Sequence, residues 1–596
     1  MKKILAIVAT GIALLSLASC NMDFYSSDSM TSAQLKANPG AAVYTTDGIY
    51  ALFKDQLIYK EINDNSNTYV RHLFQLSETR GDNICISGHS TDPFLGPYRY
   101  EDVDYTKNKT YIWWMGYKII YAANSNIESI DPKSNALSSH LMGENYFFRA
   151  LVHFNLVNLF AMPYVLGRDN PGVVLRNSMD YSTTTRATVG ECYDSIVDDL
   201  KQAIDYMDKG SKRGDASYVS ATAARALLAR VYLHMGDEHL QDCVDLCNEL
   251  ISSAPGSVKA PYTVETLQEY PKHTWDSNET IWCIHHIYPA DLLSDSATIG
   301  AMYYKDGLEP NNIGWGEWYW NDELIELFHH FPEDRRFQAY FTYEPTAILN
   351  NGKKLVSFPM KDVAGDFCVS GYAKGDNVIE NADGSFTLNV VDKDGNVAET
   401  YVAKPEVVNG YTRYYIDENL TGDPTFCGGR TPAYVREDVD EDNGIRSALY
   451  VRYYNTKFSG QDGQATFSSP VMLRWGEVFL NRAEALARLG KDADALEDVN
   501  LIRHRAGLNG TADFTAANMK ARGYDTVLDV VLDERRMELC FEGDRMFSLL
   551  RNKKNIDRRY VGYHPFEVVK YDDPRIALLI SGDEINASGI DQNKQK

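Results

Sequence analysis

The stretch that decides the fold runs from Asp533 to Arg551, DERRMELCFEGDRMFSLLR. Val530, Val531 and Leu532 lead into it, and Met537, Leu539, Phe541, Met546 and Leu549 are interleaved with its charges, as in a helix packed on a core. Glu534 and Glu538 stand four residues apart beside Arg535 and Arg536, so carboxylates and guanidiniums can pair along one helical face. Gly543 breaks the run and Asp544-Arg545 restart it. Two glutamates and two arginines in so short a segment also fit catalytic machinery. A buried or half-buried ion-pair network bracing two helices is the better reading.

Paired helices recur upstream. Thr188-Val189-Gly190-Glu191 reads as a capping box, followed by Tyr193, Ile196, Val197, Leu200, Ile204 and Met207 at helical spacing. Ser220 caps a second helix, with Ala224, Leu227, Leu228, Val231 and Tyr232 inward, and Gly236 ends it. Val244, Cys247, Leu250 and Ile251 mark its partner. Met142 to Phe160 predicts a further long helix stopped by Pro163. The pattern returns with Met472, Trp475, Phe479, Ala483 and Leu486, then Ala495, Val499 and Ile502 after Gly490. Helix–turn–helix units of this kind resemble tetratricopeptide repeats. Between 341 and 470 helical periodicity vanishes, and Ser385–Val391 and Asn396–Val402 predict a hairpin about Asp394-Gly395.

Taken with four other stretches, the block at 533–551 resembles the ERRxELxFEGxRxxDLxR signature of the SusD/RagB family of surface lipoproteins, with Ser548 where that family usually has Asp. NYFFRALVHFNLVNLFAMPYV (145–165), SYVSATAARALLARVYLHMGD (217–237) and LRWGEVFLNRAEALARLGKDADALEDVNLIRHRAGL (473–508) are similar to family helices, and so is WWMGYKIIYAANSNIES (113–129). The tail RIALLISGDEINASGIDQN (575–593) departs from the family's ending, keeping Glu584, Asn586, Gln592 and Asn593. The resemblance implies an all-α dominated fold, a tetratricopeptide-like superhelix of four units with loop- and hairpin-rich insertions. It makes the signature structural. It implies capture of oligosaccharide without catalysis or cofactor, and a SusC-type TonB-dependent transporter as partner, with this chain as its lid. Some relatives capture peptides instead, so the resemblance fixes capture and leaves the ligand class open.

The first residues set the expected compartment. Lys2-Lys3 precede an apolar run, Ile4 to Leu17, that ends in Leu17-Ala18-Ser19-Cys20, a lipobox. Residues 1–19 therefore read as a signal peptide, Cys20 as the lipidated residue and 20–40 as a flexible tether. Residues 41–340 form the expected N-terminal helical region, 341–470 the insertion and 471–596 the C-terminal helical region and tail. Together with the resemblance, this places the chain on the cell outer membrane, lipid-anchored and facing the exterior. The net charge of −24, with 83 acidic against 59 basic residues, excludes a nucleic-acid face. Eight cysteines beyond Cys20 show no CxxC pair or dense framework, and most read as small buried hydrophobes.

Two segments qualify as binding loops. Asn311 to Trp320, NNIGWGEWYW, sets Trp315, Trp318, Tyr319 and Trp320 beside Gly314 and Gly316. Such rings stack on the C–H faces of sugars while Asn311 and its polar neighbours bond hydroxyls. Trp315, inside Gly-Trp-Gly, is the ring expected to be core, and the others form an exposed platform. The second segment, Glu78 to Tyr100, offers Arg80, Asp82, Asn83, Tyr98, Arg99 and Tyr100, with a solvated loop as the alternative. Tyr303 and Tyr304 are weaker additions. Asp438, Asp440 and Asp442 resemble the start of a calcium loop, but Asn443 and Leu449 replace its glycine and its final glutamate. No HExxH, GxSxG, P-loop or GxGxxG motif occurs, and His285-His286 and His329-His330 lack a third ligand at metal spacing. The remaining alternatives are peptide capture, a surface glycoside hydrolase with two unrecognised carboxylates, and a scaffold whose aromatic loop is core.

Overall fold

Local signals start and stop the helices. Thr188 Oγ1 accepts the Glu191 N–H at 3.1 Å while Glu191 accepts the Thr188 N–H at 2.8 Å, closing the capping box that opens Val189–Asp208. The Ser220 side chain accepts the Ala223 N–H at 3.3 Å to cap Ala221–Met235, and Gly236 ends it with φ +85°. The long helix expected from Met142 begins earlier, at Ala136, because the Asn135 side chain accepts the Ser138 N–H at 2.8 Å. The structure is a computed structural model that describes residues 40–59, 67–86, 90–182, 184–292, 298–304, 314–343, 348–361, 368–408, 411–440 and 453–595. The expected leader, Cys20 and nearly all of the tether lie outside the described residues.

Successive helices pack side by side into a superhelix. Lys107–Ser129 lies against Ala136–Phe160, which lies against Val189–Asp208, then Ala221–Met235 and Leu240–Ser252. Trp475–Arg488 docks on Leu240–Ser252 across the long intervening chain, and Asp492–Arg505 and Val527–Glu538 complete the stack. Small residues set the closeness of these crossings. A Cβ on Gly143 would come within 2.5 Å of Met207 and 2.7 Å of the Ala203 carbonyl. One continuous apolar core, from Ile49 to Ile590, threads all of these helices. The fold is the tetratricopeptide-like, helix-dominated one, with strand-rich insertions.

The largest insertion is a sheet. Seven antiparallel strands run in the order Cys368–Lys374, Ile348–Lys361, Thr431–Asp440, Tyr411–Ile416, Val397–Val408, Phe386–Val391 and Val378–Glu380. The hairpin about Asp394-Gly395 joins two of them, with Gly395 at φ +82°. Its neighbours do more than form separate hairpins. The long pairing of Ile348–Lys361 with Thr431–Asp440 joins the first hairpin to the later strands, so that all seven form one sheet. Val356, Phe358, Phe386, Leu388, Ala403 and Ile416 give it a core of its own. Among the described residues no helix is long and apolar enough to cross a membrane. Cys85, Cys192, Cys243, Cys247, Cys283 and Cys540 are buried and, like the half-buried Cys427, free.

Candidate functional site

The signature block builds the foundation of the site. Val527–Glu538 and Arg545–Arg551 flank Gly543, whose φ of +77° makes the bend. A Cβ there would meet Ser77 at 2.9 Å, and the Gly543 N–H donates to Glu78 at 2.8 Å. Arg474 reaches Glu538 at 2.6 Å, Glu542 at 2.8 Å and Glu279 at 3.1 Å, while Arg336 pairs with Glu534 and Glu538. Arg535 binds Asp544 at 2.6 Å and Arg551 binds Glu484 at 2.6 Å. Burial alone would raise the Glu538 carboxyl, but Arg474, Arg505 and Arg336 outweigh it and hold it far below the usual range. These carboxylates are all engaged by fixed cations, so the block is a brace.

The two expected binding loops meet, but as core. Trp318–Trp320 is a short strand paired antiparallel with Ile84–Ile86, so that Ile84 faces Trp320 and Ile86 faces Trp318. Trp318, Tyr319 and Trp320 are buried, contrary to the expected exposed platform. Trp320 packs 4.9 Å from the Phe541 ring and donates its indole N–H to the Tyr454 carbonyl at 3.1 Å. Trp318 stands edge-on to Phe94 and Tyr303, and Tyr303 is buried as well. The alternation Trp-Tyr-Trp suits a strand covered on both faces, and the ladder to 84–86 satisfies the backbone that a loop would leave to solvent. Asn311 lies outside the described residues.

The second loop is also mostly internal. Arg80 is buried and donates to the carbonyls of Arg575 and Ile576 at 2.8 and 2.7 Å. Asp82 takes two bonds from Arg545, at 2.7 and 3.0 Å. Burial raises its carboxyl, but Arg536 and Arg545 prevail and bring it down to about 2. Asn83 accepts from Arg536 at 2.9 Å and donates to Glu78 at 2.9 Å. Burial pushes the Glu78 carboxyl up to about 7. Tyr98 is buried against His564, at 2.7 Å, and Tyr100 donates to the Arg80 carbonyl at 2.7 Å from a left-handed backbone. Asp82 and Asn83 join the N-terminal loop to the signature helices, and Arg80 and Tyr98 join it to the C-terminal segment. They are not free to meet a ligand.

What does reach the surface is Trp315 in one loop and Tyr563 in another. Trp315, the ring expected to be core, is 38% exposed, because Gly314 and Gly316 on either side both hold positive φ and turn it outward. Glu317, two residues on, accepts from Ser90 at 2.5 Å. Arg99 is partly exposed and lies 4.6 Å over the ring of Tyr563, itself 40% exposed. A buried cluster of Cys85, Tyr319, Tyr454 and Tyr560 underlies both places. The Tyr454 hydroxyl donates to Gly316 O at 3.2 Å, beside Trp315, and Cys85 Sγ donates to Val561 O at 2.9 Å, two residues from Tyr563. Tyr563 stood outside every segment singled out in the sequence, where Tyr-His-Pro carries no periodicity to mark it.

The SusD family model matches residues 278–584, the span from the brace through the sheet to the tail. The chain belongs to the SusD family. A second model, described as starch-binding associating with outer membrane, matches residues 56–233 of this SusD-family protein. SusD-like protein P25 of Formosa agariphila is 24% identical over 85% of this chain and 81% of its own length. A SusD superfamily protein from Bacteroides thetaiotaomicron superposes with a TM-score of 0.63 at 21% identity, over 94% of this chain and all of its own. A SusD-like carbohydrate binding protein from Bacteroides vulgatus superposes at 0.58 with 14% identity, over 87% and 84%. At these identities the superpositions speak for the fold.

The histidines noted in the sequence have other contacts. His285 stacks on Trp275 at 4.4 Å, His286 meets the Ile284 carbonyl, and His330 lies 3.7 Å from the Tyr411 ring. Asp438 is buried, whereas the Asp440 side chain and Asp442 lie outside the described residues. Among the described residues no three His, Cys, Asp or Glu side chains are placed to hold a metal ion.

Proposed function

We propose that this SusD-family protein captures oligosaccharide at the cell surface, without chemistry, and delivers it to a SusC-type TonB-dependent outer-membrane transporter over which it acts as a lid. The observation that carries this reading is Trp315, an exposed indole between two positive-φ glycines, just ahead of the buried strand Trp318–Trp320. An indole fixed in that way offers a flat apolar face to the C–H side of a pyranose. The second family model's description, starch-binding associating with outer membrane, supports both the ligand class and the location. Acylation of Cys20 supplies the anchor, at about 0.8 kcal/mol for each buried methylene.

A shallow face with few stacking rings gives roughly micromolar to millimolar affinity. The test is isothermal titration of the chain lacking its leader against plant, host and microbial oligosaccharides. Trp315→Ala and Tyr563→Ala together are expected to abolish a saturable heat while the circular dichroism spectrum stays unchanged. Heat from peptides in place of glycans would change the ligand class, and sugar products in the cell afterwards would reveal a hydrolase.

A further inference from the structure

A cavity of about 450 Å3, whose lining includes neither Trp315 nor Tyr563, opens between the segment 256–279, the helix Arg335–Tyr340 and the end of Asp492–Arg505. Its size falls within the range of about 300–1,000 Å3 usual for small-molecule sites. Most of its wall is carbon. Tyr262 and Tyr270 line it and are half-buried. Their hydroxyls are held by buried partners, Glu279 at 3.0 Å and Thr280 at 2.9 Å, so the accessible part of each side chain is mainly its ring. Leu267, Tyr340 and Ala506 complete the apolar part of the lining.

The charged members of the lining are spent on one another. Arg474 meets Glu279, Glu538 and Glu542 at 3.1, 2.6 and 2.8 Å. Arg336 meets Glu538 at 3.0 Å and Lys457 meets Glu542 at 2.5 Å. Arg505 binds Glu279 at 2.9 Å, its guanidinium 4.8 Å from the centre of the Tyr262 ring. An entering carboxylate or phosphate would find each of these cations already neutralised by an acid. A sugar fares no better, because it carries a hydroxyl on most of its carbons and each one buried without a partner costs about 1–3 kcal/mol. The mouth differs from the wall: Ser257 and His273 are exposed there and bring polar atoms. The ligand that fits is apolar along its body and polar at one end. Three tyrosine rings favour an aromatic body, through offset-stacked and edge-on contacts.

We infer that this cavity binds an uncharged aromatic molecule of two or three rings, a ligand class different from the glycan of the proposed function. Its rings lie against Tyr262, Tyr270 and Leu267, and a single hydroxyl stays at the mouth, within reach of Ser257 or His273. The chain then takes two kinds of ligand at separate places, one at an exposed indole and one inside an apolar wall.

Isothermal titration of the chain lacking its leader with 2-naphthol and 4-phenylphenol tests the inference, beside 2-naphthoate as the charged counterpart and maltose as a polar molecule of similar size. At least one of the phenols is expected to bind saturably at one site, and at least tenfold more tightly than naphthoate. Ser257→Trp, which fills the mouth from an exposed position outside the brace, is expected to weaken that binding tenfold or more with an unchanged melting temperature. The Trp315→Ala, Tyr563→Ala double variant should leave it intact, which separates this site from the one proposed for glycan. Absence of saturable heat with both phenols overturns the inference, as does naphthoate binding as tightly as they do. Phenol binding indifferent to Ser257→Trp overturns it too. So does maltose binding that Ser257→Trp removes, because the cavity would then be a sugar site.

Discussion

Two ion pairs in this molecule have the same length and very different surroundings. Arg474 and Glu538 meet at 2.6 Å in the helical body with side chains 7% and 9% exposed; Lys404 and Asp417 meet at 2.6 Å on the sheet with side chains 59% and 60% exposed. In the body each charge is removed from water and depends on its partners, so losing one leaves the others buried and unpaired. On the sheet both ends remain hydrated, and the pair is screened by salt. Distance says that a pair exists; burial says what it is worth. The body is held by a charge network as well as by its apolar core, while the sheet rests on its own apolar layer of Val356, Phe358, Leu388 and their neighbours.

The comparison is broken most severely by Glu538→Ala, which strands Arg474, Arg336 and Arg505 without their shared carboxylate. A loss of about 3–5 kcal/mol is expected, read as a large fall in the urea midpoint or failure to fold. An unchanged midpoint would mean that the brace carries no stability.

Acid should act on the same network through Asp82. Its carboxyl sits at about 2 in the fold against the ordinary 3.8, held down by Arg536 and Arg545 in spite of burial. The stabilisation is therefore complete above 3.8 and is lost as pH falls toward 2, an effect of about 2 kcal/mol. Urea midpoints measured from pH 6 to pH 2 should fall, and Asp82→Asn should flatten that part of the slope. Lys404→Ala marks the other end of the scale. Its melting temperature should match that of the parent protein, in low and high salt alike; a clear drop would make the exposed pair equivalent to the buried one and erase the contrast.

Much of this architecture was legible locally. The Thr188–Glu191 box, Ser220, Gly236 and Gly543 act within a few residues of themselves, and each stops or starts a helix where the sequence says. The alternation of charge and apolar residues in 533–551 announced a brace, and the ion pairs of that block are internal. The aromatic loop was not legible in this way. Trp315 and Trp318 are three residues apart in one glycine-loosened run, yet one points out and the other in. The choice rests on Ile84–Ile86, far away in the chain, which pairs with Trp318–Trp320 and leaves Trp315 beyond the ladder. Arg80, Asp82 and Asn83 have the composition of a sugar site, and they spend it on Arg545, Arg536 and the carbonyls of 575–576 instead.

The sequence by itself determined the helices, their caps, the breaks between them and the family to which they belong, because these depend on residues adjacent in the chain or one helical turn apart. Tertiary structure alone decided which aromatic rings remain for a ligand, which carboxylates are locked by arginine, and that the strands between 348 and 440 close into one sheet. Burial and pairing are properties of what arrives from elsewhere in the chain, and a side chain carries no record of its eventual neighbour.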